Sequence, residues 1–304
     1  MQRWLPILLL CACSLPQGAT APAMPLPPGA VEVLGVAQDG GRPQLGCVKD
    51  CCATLGPEDA EPVASLAVMG DAAWVLVDAT PDLPQQVQAV GSLPDAIVLT
   101  HAHMGHYLGL AFLGREALGA RGLPVYCSSR MADFLKAHGP WSQLVELGNI
   151  QLRTFEDGVP FDPIPGVRVK PWSVPHRDEF SDTFGFSFLT VKTRLFYLPD
   201  IDGWEDWPRL DQVTLEHQVL LLDGTFYDNQ ELPGRDMSLI PHPRVPDSMR
   251  RLQGAVEEGV QVLFLHLNHT NPLWDANSPQ RQTLRRRGFD VAVRGQRFGL
   301  AAQD

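Results

Sequence analysis

Three histidines fall within six residues at Thr100-His101-Ala102-His103-Met104-Gly105-His106, directly after the apolar run Ala96–Leu99. The chain has only nine histidines in all, so this clustering constrains what it can fold into. The apolar run reads as a short strand, and in extended backbone residues two apart point the same way. His101 and His103 can therefore grip one ion from the end of that strand. His106, beyond the turn, can face a neighbouring ion or complete the same ligand set. Imidazole is the commonest side-chain ligand for zinc and iron.

The same placement recurs down the chain. Val167–Val174 reads as a strand running into Pro175-His176, Leu195–Leu198 into Pro199-Asp200, Val219–Leu222 into Asp223, and Val262–Leu265 into His266. His269 follows three residues later. Further strands are expected at Val31–Val36, Ser65–Met69, Ala73–Val77, Pro124–Tyr126 and Phe184–Val191. Helices are expected over Leu83–Val90, Tyr107–Leu118, after Ser129, over Pro246–Glu257 and from Ser278-Pro279 to Gly288, with a hairpin over Val145–Arg153. Strands dominate early and alternate with helices later, which points to an α/β chain.

"LTHAHMGHYLGL" resembles the HxHxDH motif of the metallo-β-lactamase fold, and the later His, Asp and His follow in that family's order. The resemblance implies an αβ/βα four-layer sandwich from about residue 30 to 304, with metal at the edge where strand ends converge. It implies that His101, His103 and His176 hold a first ion, that Asp200 bridges two, and that His106 and His266 hold the second, with His269 as the rival for the last place. Asp200 and His106 are then the residues expected to take part in catalysis. Gly105 stands where the family carries an aspartate. Either the second ion is missing, or another carboxylate such as Asp202 or Asp39 replaces the ligand, or the chemistry is not hydrolysis.

"GVAQDGGRPQLGCVKDCC", "YLPDIDGW" and "HLNHTNP" also resemble the coenzyme PQQ synthesis protein B (PqqB) branch of that fold. Three thiols within six residues, Cys47, Cys51 and Cys52, suit a structural zinc completed by a fourth ligand from elsewhere. The other reading is a disulfide from Cys47 to Cys51 or Cys52 with a thiol left over. For the histidines the cofactor is zinc or iron. The function so implied is a metal-dependent enzyme, a hydrolase first, with metal-dependent oxidation in PQQ synthesis also open. The alternative is a non-catalytic carrier moving PQQ or its precursor to the periplasm.

Residues 1–24 read as a signal peptide and tether: Arg3, an apolar run from Leu5 to Leu10, then small residues and prolines. The stretch Leu10–Ser14 resembles a lipoprotein box with Cys13 as the lipidated residue; cleavage near Ala19–Ala21 is the other ending. The chain is expected to be exported to the periplasm, with a membrane partner only through that anchor. A formal net charge of -11 argues against a nucleic-acid partner, which needs clustered Lys and Arg. The expected partner is a small-molecule substrate. Asp178 and Glu179 read as partners for His176 or as loop charges, and His242–Arg244 as a place for an anionic substrate group.

Overall fold

The structure is a computed structural model and describes residues 26–299. The signal, the tether and Cys13 lie outside the described residues. Strands fall in two sheets of seven. The first comprises β1 (Val31–Gly35), β2 (Ser65–Met69), β3 (Trp74–Val77), β4 (Ala96–Val98), β5 (Leu123–Cys127) and β6 (Ile150–Thr154), with the late strand β14 (Arg297–Phe298) added at its edge. The second comprises β7 (Phe161–Ile164), β8 (Val167–Val174), β9 (Thr183–Leu189), β10 (Arg194–Leu198), β11 (Val219–Asp223), β12 (Gln261–Leu265) and β13 (Asp290–Val291). β14 pairs antiparallel to β1. Each sheet has an antiparallel part and a parallel part, the parallel parts being β3 to β6 and β10 to β13.

The sheets face one another across an apolar core that includes Val75, Val77, Phe186 and Phe196. Helices α2 (Leu83–Val90), α4 (Ser129–Ala137) and α5 (Trp141–Glu146) cover the first sheet, and Leu76, Ile97, Met131 and Leu135 form the core beneath them. Helices α6 (Leu210–Glu216), α7 (Val245–Glu257) and α8 (Pro279–Arg286) lie on the second sheet. The order of layers is helix, sheet, sheet, helix, as in the expected αβ/βα sandwich. β11 is buried at every residue, because a central parallel strand has both faces covered.

Two elements differ from the sequence reading. Tyr107–Leu118 is not one helix: a single turn, α3 (Met104–Tyr107), passes into 3-10 turns over Leu108–Leu113. A Cβ on Gly109 would lie 2.0 Å from the Thr80 carbonyl, so this segment is pressed too closely on its neighbour to coil regularly. Val145–Arg153 is not a hairpin. Val145 lies in the last turn of α5, and β6 joins β5 in parallel through a crossover carried by α4 and α5. α4 is capped by Ser128, whose Oγ accepts from Met131 N at 3.1 Å, rather than by Ser129.

Candidate metal centre

The loops after β4, β8, β10, β11 and β12 open at one edge of the sandwich, where the strands' C-terminal ends converge, the usual place for a site in a parallel sheet. His101, His103 and His106 follow β4, His176 follows β8, Asp200 follows β10 and His266 follows β12. The structure brings all six together.

Each imidazole is oriented by an oxygen on its outer nitrogen. Asp78 follows β3 with a left-handed backbone, φ 64°, so its carboxylate turns back to accept from Thr100 N at 2.8 Å and from His106 Nδ1 at 2.7 Å. The Thr100 hydroxyl donates to Asp78 and accepts from His101 Nδ1 at 2.9 Å. His176 Nδ1 donates to Asp202 at 2.9 Å, and His103 Nε2 to Glu179 at 2.9 Å. His266, with φ 60°, donates from Nδ1 to Thr225 Oγ1 at 3.0 Å, and that hydroxyl donates to Asp223 at 2.7 Å. Such partners fix tautomer and ring angle, as metal-bound histidines require.

The inner atoms form two adjoining groups. His101, His103 and His176 present ligand atoms within 4.8 Å of one another, and so do Asp39, His106 and His266. Asp200 lies between. Its Oδ2 is 3.1 Å from His106 Nε2, 3.4 Å from His266 Nε2 and 3.8 Å from His101 Nε2, while its Oδ1 is 3.6 Å from His176 Nε2. Ligands on one tetrahedral zinc stand ~3.3 Å apart, given zinc–nitrogen bonds near 2.0–2.1 Å. Asp39 Oδ1, His101 Nε2, His106 Nε2, Asp200 Oδ2 and His266 Nε2 are buried with no hydrogen-bond partner. Buried polar atoms are normally paired, so five orphans pointing into one space fit a shared cation.

Charge gives the same answer. Asp78 and Asp223 are 0% exposed and Asp200 2%, and among the described residues no Lys or Arg lies within ion-pair distance of them or of Asp39. Buried carboxylates need positive charge. Burial holds His101 well below the usual histidine range, and burial likewise lowers His176, leaving both in the neutral ligand form. Burial would also lower His106, but Asp78 and the carboxylates of Asp200 and Asp39 outweigh it and raise that imidazole well above its usual range. Burial opposes ionisation of Asp39, and the facing imidazoles of His106 and His266 overcome that and hold the carboxyl well below its ordinary range. These carboxylates call for positive charge at His106, which a metal ion held there would supply.

The second cluster is made by the cysteines. Cys47, Cys51, Cys52 and His269 offer ligand atoms within 4.8 Å of one another. Cys51 Sγ is 4.0 Å from both Cys47 Sγ and Cys52 Sγ. Thiolates on one tetrahedral zinc stand ~3.8 Å apart, whereas a disulfide is ~2.05 Å. All three thiols are free. Burial, with Cys52 beside it, pushes the Cys51 thiol up to about 11. His269 therefore belongs here and not with His266. Its Nδ1 is held by Asn268 at 3.1 Å, at the far end of a turn that separates the two rings. The short helix α1 (Asp50–Ala53) carries Cys51 and Cys52.

Asp202 is a partner of His176 rather than a ligand, and Glu179 serves His103. Arg244 is not free for an anion: its guanidinium donates to Asn229 Oδ1 at 2.6 Å and to the carbonyls of His242 and Met237 at 2.7 and 2.6 Å. The residue that sequence reading missed is His242 as a member of the centre. Its Nδ1 donates to Asp223 at 2.8 Å and lies 3.9 Å from Asp200 Oδ1. It borders a cleft of about 270 Å³ lined also by Asp202, Trp204, Asn229 and Ser238. No strand leads into His242, so nothing in the local pattern marks it.

Residues 73–266 match the family described as the beta-lactamase superfamily domain. The chain is 30% identical over 306 residues to the coenzyme PQQ synthesis protein B of Methylococcus capsulatus, covering 87% of this chain and 98% of that one. It is 29% identical to the protein of the same description in Pseudomonas fluorescens SBW25, over 89% of this chain and 99% of that one. Among solved structures, zinc-bound PqqB from Methylobacterium extorquens superposes with a TM-score of 0.75 at 23% identity, covering 89% of this chain and all of that one. A diphosphatase of the PhnP family superposes with a TM-score of 0.65, also at 23% identity, over 89% of this chain and 96% of that one.

Proposed function

The chain belongs to the beta-lactamase superfamily and, within it, to the family of coenzyme PQQ synthesis protein B, and on that premise we propose that it is a metal-dependent enzyme, a hydrolase acting on a small molecule of the PQQ pathway. The carrying observation is the set of five buried, unpartnered nitrogen and oxygen atoms that converge around Asp200. A carrier has no need of such a set. The chemistry that zinc or iron supplies in such a place is polarisation of a substrate oxygen and a lowered pKa for water.

The chain's own residues then have distinct parts. His101, His103 and His176 would hold one ion and His106 and His266 the other, with Asp200 placed to serve either. Asp78, Asp202, Glu179 and Thr225 keep the rings in register. His242 has its Nδ1 proton fixed on Asp223, which leaves its other edge for the cleft, where it is placed to give or take a proton at the substrate. A second carboxylate at the centre, Asp39 beside Asp200, favours hydrolysis over a single-ion oxidation, because it adds negative charge to balance two ions side by side. The cysteine cluster with His269 is read as a structural zinc site. Residues 1–24 support export to the periplasm, with Cys13 as the lipid attachment point.

The test is metal content of the chain from Met24 onward, compared with a His101→Ala/His103→Ala double variant. The wild type is expected to hold metal beyond that of the double variant. Zinc in that fraction directs assays to esters, lactones and phosphodiesters, and iron to oxygen-dependent turnover of a tyrosine-containing peptide. Equal metal in both proteins removes the enzyme reading and leaves the carrier.

A further inference from the structure

We propose that Asp39, in the glycine-rich loop after β1, is the carboxylate ligand of the second ion, and that residue 105 is glycine because Asp39 occupies its side-chain space. The proposal rests on the metal-centre reading above and names the residue that completes it.

Glycine at 105 is not required by the backbone. It lies within the helical turn α3 and has no positive φ. Any residue adopts that conformation, so the reason must be space. A Cβ there would stand 2.2 Å from Asp39 Oδ1, 2.7 Å from Asp39 Cα and 3.0 Å from Asp39 Cγ. The contact with Cα matters most, since it cannot be relieved by turning a side chain. A carboxylate on residue 105 and a residue at Asp39's position thus exclude one another. The structure takes the second, and delivers a carboxylate to the same point from another part of the chain.

Asp39 is held for the purpose. Gln38 N donates to Leu267 O at 3.0 Å, and Leu267 N donates to Val36 O at 2.9 Å, which ties the loop to the turn carrying His266. Arg42 and Glu61 pair across the next residues, with N–O distances of 3.1 and 2.7 Å. Between these anchors Asp39 Oδ1 reaches 3.3 Å from His106 Nε2 and 3.8 Å from His266 Nε2, buried and without a hydrogen-bond partner. His106 Nδ1 is already taken by Asp78, so the approach to Nε2 is not needed to orient that ring.

The test counts and weighs bound ions. Wild type, Asp39→Asn and Gly105→Ala are loaded with cobalt and titrated against a chelator. Thiolate-bound cobalt absorbs in the near ultraviolet and is followed separately from the histidine-bound ions. In Asp39→Asn one histidine-bound ion is expected to weaken by at least about tenfold while the other and the thiolate-bound ion keep their affinity. Gly105→Ala is expected to weaken the same ion, because its Cβ claims the space held by the Asp39 Cα and carboxylate. An unchanged affinity for both ions in Asp39→Asn overturns the proposal, and so does a Gly105→Ala variant that folds, keeps its thiolate-bound ion and holds both histidine-bound ions as tightly as wild type. If wild type binds no histidine-bound ion at all, it is the metal-centre reading that has failed.

Discussion

Every imidazole at the centre has one nitrogen committed to an oxygen and one aimed inward. Asp78 is the most demanding of these partners, since a single buried carboxylate serves His106, Thr100 and, through Thr100, His101. Its left-handed backbone is one that asparagine tolerates well. Asp78→Asn therefore keeps the fold and the shape while removing the charge that favours the Nδ1–H tautomer of His106. We expect ion affinity to fall roughly 10–100-fold in this variant, measured by chelator competition, with little change in the circular dichroism spectrum. Unchanged affinity would mean that Asp78 only stabilises the loop.

Each strand ends where its backbone leaves the ladder, and the next side chains are free to turn toward the edge. That is why the segments leaving β4, β8, β10 and β12 all deliver ligands within their first few residues. The turn after β12 divides two jobs within four residues: His266 faces Asp39 and Asp200, and His269 faces the thiols. His269→Ala is expected to remove the cysteine-bound ion and speed amide exchange over residues 38–52, while the histidine-bound ions remain. His266→Ala is expected to do the reverse, with native mass spectrometry reading ion stoichiometry in both. Identical losses in the two variants would show that the clusters are not separate sites.

The two sheets are joined across their core by apolar packing and at one edge by the ligand set. The first sheet supplies His101, His103 and His106, and the second supplies His176, Asp200 and His266. Ions at that edge bind the folded chain and not the unfolded one, in which these residues are scattered. At metal concentrations a hundredfold above Kd the folded state gains about 2.7 kcal/mol, or roughly 5–10 °C in melting temperature for a domain of this size. Differential scanning calorimetry with and without metal checks it, and the gain is expected to be absent in the His101→Ala/His103→Ala variant.

Much of the centre was legible in the chain because its signals are local. A ligand-type residue directly after an apolar strand needs no knowledge of the rest of the fold, and His101, His103, His106, His176, Asp200 and His266 all have that form. The three clustered cysteines are equally local. Of the segments misread, Tyr107–Leu118 had apolar residues at helical spacing and Val145–Arg153 had a turn signal at Gly148-Asn149, but their shape is set by neighbours: the Thr80 carbonyl under Gly109, and the parallel pairing of β6 with β5. What only the tertiary structure decided are the meetings through space. These are Asp39 entering the room left by Gly105, His269 turning to the thiols, and His242 leaning on Asp223. Each joins segments whose separation along the chain carries no periodic signal, because folding, and not spacing, brings them within reach.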